Sequence, residues 1–186
     1  MKLALEQFRA IVRDTVLVSL DLLLINERDE VLVGRRTHGP ARDYYFVPGG
    51  RVMKGETLAM ALQRVAKEET GLCLSPDQVV FHGIYDHIYD DSYFEDSNIS
   101  TQYVVIACRC AVSSDAQIVS DLQHESLHFV QIADITSDPK IHPYTRNYFC
   151  ADAKNLFLGS ESTRWCRTGT PQAGVRQVKS SSTKDC

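Results

Sequence analysis

The chain has 186 residues, of which 44% are hydrophobic and 24% are charged, and its formal net charge is −4. These values predict one globular domain with room for a core. The net charge excludes a strongly basic surface for nucleic acid, and no apolar run approaches the roughly 20 residues of a membrane span. The N-terminus lacks the apolar stretch of a secretion signal, and the six cysteines show no CxxC spacing, which together predict a cytoplasmic protein with reduced thiols.

Apolar periodicity divides the chain into short elements. It predicts a helix over 3–12, strands over 15–26, 31–36 and 44–47, a helix between Glu56 and Gly71, strands over 79–89, 102–112 and 127–130, and a final helix over 144–156. Polar loops over 90–100 and 120–125 separate the later strands. From residue 159 the sequence is rich in serine and threonine, so we predict a folded domain over 1–158 and a disordered tail over 159–186.

Residues 46–72 carry the most informative pattern, a short strand, a glycine-containing turn and a helix. Pro48-Gly49-Gly50 predicts the tight turn, and Gly71 predicts the helix end, because glycine adopts positive φ at little cost. Glu68 and Glu69 lie near the helix C-terminus, where carboxylates oppose the helix dipole unless a cation is present. Their side chains point about 100° apart, so one Mg²⁺ could take both or only one. The predicted apolar stripe consists of Leu58, Ala61, Leu62 and Ala66.

The spacing of this stretch resembles the Nudix box, the loop–helix segment of hydrolases that act on nucleoside diphosphates linked to another group. The matching residues are Gly50, Glu56, Arg64 and the run Glu68-Glu69-Thr70-Gly71-Leu72. The resemblance implies an α/β fold, the Nudix α/β/α sandwich, with a mixed β-sheet between helices. The family usually has a glutamate after the arginine, whereas this chain has Val65, which removes one carboxylate from the metal-binding face.

Segments outside the box resemble one branch of the family, the GDP-mannose mannosyl hydrolases. They are VSLDLLLIN at 18–26, VLVGRR at 31–36, YYFVPGGRV at 44–52, YDHIYDD at 85–91, QYVV at 102–105 and the pair Gln123-His124. This resemblance implies hydrolysis of GDP-mannose, or of GDP-glucose, to GDP and free sugar, by water attack at sugar C1 with inversion. It also implies one Mg²⁺ per subunit, with Mn²⁺ as a substitute, and a homodimer that controls GDP-sugar supply for polysaccharide biosynthesis.

Several polar residues stand at positions where their chemistry would be useful. Asp21 interrupts an apolar strand, and a buried acid is costly unless paired or metal-bound, so we expect it to face the site or to lie at a capped or edge position. Arg36 could hold a diphosphate through two hydrogen bonds, and Arg51, beside the glycine turn, could neutralise a GDP leaving group or lie on the surface. An unperturbed histidine titrates near roughly pH 6.5, so His124 suits a general base, and Gln123 offers Mg²⁺ a neutral oxygen.

The family resemblance implies a role for each matched position. It implies a metal site of Gly49, Glu69 and Gln123, and catalytic roles for His124, Asp21 and Arg51. The substrate-binding residues that it implies are Lys2, Leu3, Phe8, Arg36, His87 and Tyr103. By this resemblance Phe8 could stack on guanine. The Tyr103 hydroxyl could donate to a phosphate oxygen, and either aromatic side chain could instead pack in the core.

Two other functions stay open on the sequence. A pyrophosphatase that attacks phosphorus would release GMP and sugar 1-phosphate, which the Glu68-Glu69 pair favours and Val65 disfavours. A non-catalytic module that only binds a nucleotide sugar is the second. The sequence does not set a preference among mannose, glucose and fucose, because sugar selection depends on pocket shape.

Overall fold

The computed structural model describes residues 3–119 and 124–150, with His124 and Glu125 described through their backbone only. The elements are α1 (Leu5–Asp14), β1 (Leu17–Ile25), β2 (Glu30–Arg36), β3 (Tyr45–Phe46), β4 (Gly49–Arg51), α2 (Leu58–Thr70), β5 (Val79–Tyr89), β6 (Thr101–Ala111), β7 (His124–Gln131), α3 (Ile132–Ile135) and α4 (Pro143–Asn147). Within these described ranges no helix is long and apolar enough to cross a membrane. The predicted tail over 159–186 and the end of the predicted domain at 158 lie outside the described residues.

A mixed sheet organises the described chain. Its strands follow the order β3-β2-β1-β6-β5, with β4 also paired to β1 and β7 to β2. The pairing of β1 with β6 is parallel, and the other pairings are antiparallel. Helix α2 packs on one face, while α3 and the segment around α4 pack on the other. The predicted α/β/α sandwich is therefore confirmed.

Alternation along β1 builds a core on each face of the sheet. Leu20, Leu22 and Leu24 join the cluster under α2. Leu23 joins the opposite cluster, which contains Ile135, Ile141 and Tyr148 from the C-terminal segment. Asp21 has the same parity as Leu23, so this alternation directs its side chain toward Tyr148.

The segment Gly49-Gly50 differs from its prediction. It belongs to β4, where Asp21 pairs with Gly49 and Leu20 with Gly50, and the positive-φ glycines of the described chain are Gly55 and Gly71. Crowding explains the glycines instead. A Cβ on Gly49 would lie 2.5 Å from Asp21 Oδ1, and one on Gly50 would lie 3.0 Å from a methyl carbon of Val65.

Helix α2 begins and ends as its sequence indicates. The Thr57 side chain accepts a hydrogen bond from the Met60 N–H at its start, and Gly71 at its end has φ 75°. The predicted apolar stripe is correct except for Leu58, which is 51% exposed, and the buried face instead includes Val65.

Two other predictions were wrong in extent. His124 is the first residue of β7, so it does not lie in a loop before that strand. Within the described chain the predicted final helix is only the five-residue α4, with Tyr148 as its C-cap.

Arg64 connects α2 to the segment that precedes it. Its guanidinium donates to both Glu56 carboxylate oxygens, at 2.6 and 2.9 Å, and to the Arg51 carbonyl at 2.7 Å. It also donates to Glu68 Oε2 at 2.8 Å. Glu56 in turn accepts from the Met53 N–H. The Arg64 guanidinium lowers the pKa of Glu56 to about 2, so the pair stays charged over the physiological range.

Replacing Arg64 with lysine should lower the free energy of unfolding by about 1–3 kcal/mol, because one ammonium cannot grip both Glu56 oxygens and also reach the Arg51 carbonyl. Arg13→Lys is the matched control, since Arg13 and its partner Asp14 are both more than half exposed and such pairs contribute little. Chemical denaturation compares the two variants. Equal losses would contradict the role given to Arg64.

Candidate active site

A cleft of about 440 Å³ lies where β1, β4, α2 and the inner face of β5 meet. Eight of the residues proposed from the sequence line it, namely Phe8, Asp21, Arg36, Gly49, Arg51, Glu69, His87 and Tyr103. They come from seven different elements, so the fold brings together side chains that are far apart in the chain.

The other four proposed residues stand apart from this set. Leu3 is 47% exposed and does not line the cleft. Lys2 and Gln123 lie outside the described residues. The backbone of His124 pairs with that of Arg36, which places the start of β7 beside the cleft end of β2.

Two arginines give the cleft positive charge. The Arg36 guanidinium carbon lies 3.8 Å from the centre of the Phe46 ring, and Nη1 donates to the Pro40 carbonyl. The Arg51 guanidinium carbon lies 4.0 Å from the centre of the Phe8 ring, and burial lowers its pKa. Among the described side chains, no carboxylate forms an ion pair with either arginine. Partly desolvated and without an ion pair to a described carboxylate, the two guanidinium groups suit an anion such as a diphosphate.

Carboxylates from two elements face the same space. Asp21 is 7% exposed, and burial raises its pKa to about 6, although the Tyr148 hydroxyl donates to its Oδ2 at 2.7 Å. Glu69 is 3% exposed near the end of α2. Glu68 also lines the cleft, but its carboxylate is half-exposed and held by Arg64.

The oxygen donors of this cleft fit a magnesium ion. No group of three or more histidine, cysteine or acidic side chains is arranged as a metal cage in the described ranges. Mg²⁺ rarely needs one, because it commonly takes one or two carboxylates with waters and substrate phosphates. Glu69 and the backbone of Gly49 line the cleft together, and the close approach of Gly49 to Asp21 leaves no room for a side chain there.

A wall of histidines and tyrosines closes the cleft on the side of β5. His87 is 3% exposed, and burial lowers its pKa to about 3. The Tyr144 ring stacks on it, with ring centres 4.2 Å apart. The Tyr144 hydroxyl donates to the Ile88 carbonyl and accepts from the Ile88 N–H, which ties α4 to β5. His142 stacks on Phe46, beneath Arg36.

Sequence reasoning missed several residues of the site. Tyr89 has the same strand parity as His87, and this alternation could have identified it. Tyr93 and His38 come from loops and lie with ring centres 5.8 Å apart at the cleft. Tyr148 lies just after a short helix, and no local pattern relates it to Asp21.

Comparison with known proteins agrees with this architecture. The NUDIX domain family matches residues 16–151, and the chain belongs to the Nudix hydrolase family. The low-salt glycan biosynthesis protein Agl8 of Haloferax volcanii is 36% identical over 146 residues, which cover 78% of this chain and 88% of Agl8.

Two solved structures show the same fold. The MutT NUDIX hydrolase from Burkholderia pseudomallei has a TM-score of 0.60 at 20% identity, covering 73% of this chain and 97% of its own. The MutT protein from Methanosarcina mazei Go1 has a TM-score of 0.59 at 23% identity, covering 72% and 90%.

His142→Asn should weaken the acid sensitivity of the protein. Burial, followed by the charges of Arg36 and Arg146, lowers the pKa of His142 to about 3. Between about pH 6.5 and 3 the unfolded chain therefore binds a proton that the folded protein does not, and stability falls as the pH drops. Each such group contributes up to about 1.4 kcal/mol per pH unit.

Asparagine removes this titration but can still accept the Tyr144 N–H at the start of α4. The measurement is the free energy of unfolding between pH 4 and 6, with His38→Asn as the exposed control. If both variants keep the wild-type slope, His142 is not the group responsible.

Proposed function

We propose that this chain hydrolyses GDP-mannose, with GDP-glucose as a further substrate, to GDP and free sugar by attack of water at sugar C1. The observation that carries the proposal is the position of Val65. It is 1% exposed and packs beneath Gly50, so the residue after Arg64 brings no carboxylate to the cleft. Glu68 is engaged by Arg64. Helix α2 therefore brings one buried carboxylate, Glu69, to a site that in phosphorus-directed members would use several.

The arginines bind the leaving group in this proposal. Arg36 and Arg51 contact the diphosphate of the substrate and stabilise the negative charge that develops on GDP as the C1–O bond breaks. Their ring contacts with Phe46 and Phe8 hold the guanidinium groups before substrate arrives. Tyr103 on β6 also lines the cleft, and its hydroxyl donates to a phosphate oxygen in this proposal.

A metal site completes the binding of the diphosphate. Gly49, through its carbonyl, and Glu69 are the proposed ligands within the described residues, and Gln123 is the proposed third. A bound Mg²⁺ would supply Lewis-acid stabilisation of the diphosphate leaving group.

The attack itself is assigned to the start of β7. His124 removes a proton from the water, the water oxygen forms the new bond to C1, and the electron pair of the broken C1–O bond leaves with GDP. Asp21 stabilises positive charge that develops on the sugar or orients the water. A single displacement inverts the α-linked donor, so the first product is β-mannose.

The relative from Haloferax volcanii gives independent support, since its name places it in glycan biosynthesis. A nucleotide sugar is the natural substrate class for such a role. The homodimer, the cytoplasmic location and the domain limits of 1–158 stay predictions.

Cleavage at phosphorus is the alternative that one observation favours, because Glu68 and Glu69 both line the cleft. It would yield GMP and mannose 1-phosphate. A binding module without turnover is the remaining possibility.

The first test is incubation of the protein with GDP-mannose and Mg²⁺ in ¹⁸O-labelled water. We expect GDP and β-mannose as initial products by proton NMR, with the label at C1 of mannose, because water attacks carbon. GMP with mannose 1-phosphate, and the label on phosphate, would establish attack at phosphorus. No turnover would contradict the proposed activity.

His124→Gln should lower kcat by about 10²–10⁴ at neutral pH, with little change in KM, because glutamine cannot accept the water proton. His128→Gln is the matched control on the same strand, since His128 is exposed and lies outside the cleft. A His124 variant with near-normal kcat would remove it from the mechanism.

A further inference from the structure

The hydroxyl of Tyr148 lies between two residues of the cleft wall. It is 2.7 Å from Asp21 Oδ2 and 3.2 Å from His87 Nε2. All three residues are buried, with exposed fractions of 3% for Tyr148, 7% for Asp21 and 3% for His87. Water therefore has little access to these hydrogen bonds, and the three side chains have few other hydrogen-bond partners.

The chemistry of these groups sets the direction of a chain of hydrogen bonds. The hydroxyl has one proton, which it donates to Asp21, because an ionised carboxylate can only accept. His87 Nε2 must then carry a proton and donate it to the Tyr148 oxygen. Burial keeps His87 neutral, so its Nδ1 is an acceptor, and the Tyr89 hydroxyl lies 3.5 Å from it. The chain runs from Tyr89 through His87 and Tyr148 to Asp21.

Packing fixes His87 and Tyr148, the two middle residues of this chain of hydrogen bonds. Tyr144 stacks on the His87 ring with only 5° between the planes, which opposes rotation of the imidazole. The Tyr85 ring meets Tyr148 edge-on, with centres 4.7 Å apart. The other Asp21 oxygen, Oδ1, faces the α-carbon of Gly49. Tyr148 on one side and Gly49 on the other therefore leave the carboxylate a single orientation.

We propose that Tyr148, held by His87, is a positioning residue that fixes the Asp21 carboxylate in the cleft. The inference rests on the proposed function for its consequence in catalysis. It also gives His87 a different task from the substrate contact implied by the family resemblance, because both ring nitrogens already face partners in the wall. Tyr148 and His87 act through Asp21 and do not touch the sugar.

Tyr148→Phe tests the proposal, since it removes only the hydroxyl. Tyr85→Phe is the matched control. It removes a hydroxyl from the same aromatic cluster that makes no hydrogen bond among the described residues. We expect kcat for GDP-mannose to fall about tenfold or more in Tyr148→Phe, with KM changed less than about threefold, because a hydrogen bond to a charged group is lost. Tyr85→Phe should keep wild-type kinetics.

A double-mutant cycle with Asp21→Asn separates positioning from packing. If Tyr148 acts through Asp21, adding Tyr148→Phe to Asp21→Asn should lower kcat less than about twofold further. If the second substitution lowers kcat as much as Tyr148→Phe does alone, Tyr148 acts elsewhere. Normal kcat in Tyr148→Phe alone would overturn the proposal. His87→Phe, which removes the donor to Tyr148 and keeps a ring against Tyr144, should reduce kcat in the same direction if Tyr148→Phe does not fold.

The imidazole tautomer provides a readout that needs no activity. Nitrogen-15 NMR of the substrate-free protein should show His87 neutral with its proton on Nε2, and this pattern should be lost or mixed in Tyr148→Phe. A proton on Nδ1 in the wild type would overturn the hydrogen-bond chain.

The failure of each proposal has a distinct signature. Release of GMP would overturn attack at carbon while the same kcat comparison still tested Tyr148. Absence of any turnover would overturn the proposed activity, and the His87 tautomer would still test the hydrogen bonds that hold Asp21.

Discussion

The contact between Arg64 and Glu56 determines how the rest of the site is arranged. Arg64 belongs to α2, Glu56 precedes that helix, and the Arg51 carbonyl that completes the contact ends β4. A helix and a strand on the same side of the cleft are thereby held as one rigid unit. Glu69 belongs to this helix and Arg51 to this strand. The distance between the Glu69 carboxylate and the Arg51 guanidinium therefore depends on Arg64.

The cleft keeps charges of both signs in place at a cost to stability. Burial raises the pKa of Asp21 to about 6, so its carboxylate is still mostly ionised at neutral pH but is harder to ionise in the folded protein than in the unfolded chain. Arg36 and Arg51 lie on aromatic rings and form no ion pairs with the described carboxylates. The proposed ligand, a diphosphate with a divalent cation, would satisfy both sets of groups at once.

Much of the fold and of the candidate site was predictable from the sequence because the relevant signals are local. Short-range preferences predict the alternation along β5, the ends of α2 at Thr57 and Gly71, and the acids of its last turn. Eight of the residues proposed from the sequence line the cleft. The glycines of β4 were misinterpreted, because crowding by Asp21 and Val65 is a tertiary effect without a local signal. Tyr148 could not be found at all, since its relation to Asp21 spans 127 positions in the chain. The start of β7 was missed because pairing with β2, which no periodicity in 120–125 indicates, extends the strand to His124.

Tyr144 has a consequence for how this molecule meets others of its kind. Strand β5 forms one edge of the described sheet, and such an edge can pair with a strand from another molecule. The Tyr144 hydroxyl occupies both the N–H and the carbonyl of Ile88. A foreign strand that docks along β5 would have to end its hydrogen bonds there or displace α4. The side chain that packs on His87 in the cleft wall thus also interrupts a template for edge-to-edge aggregation.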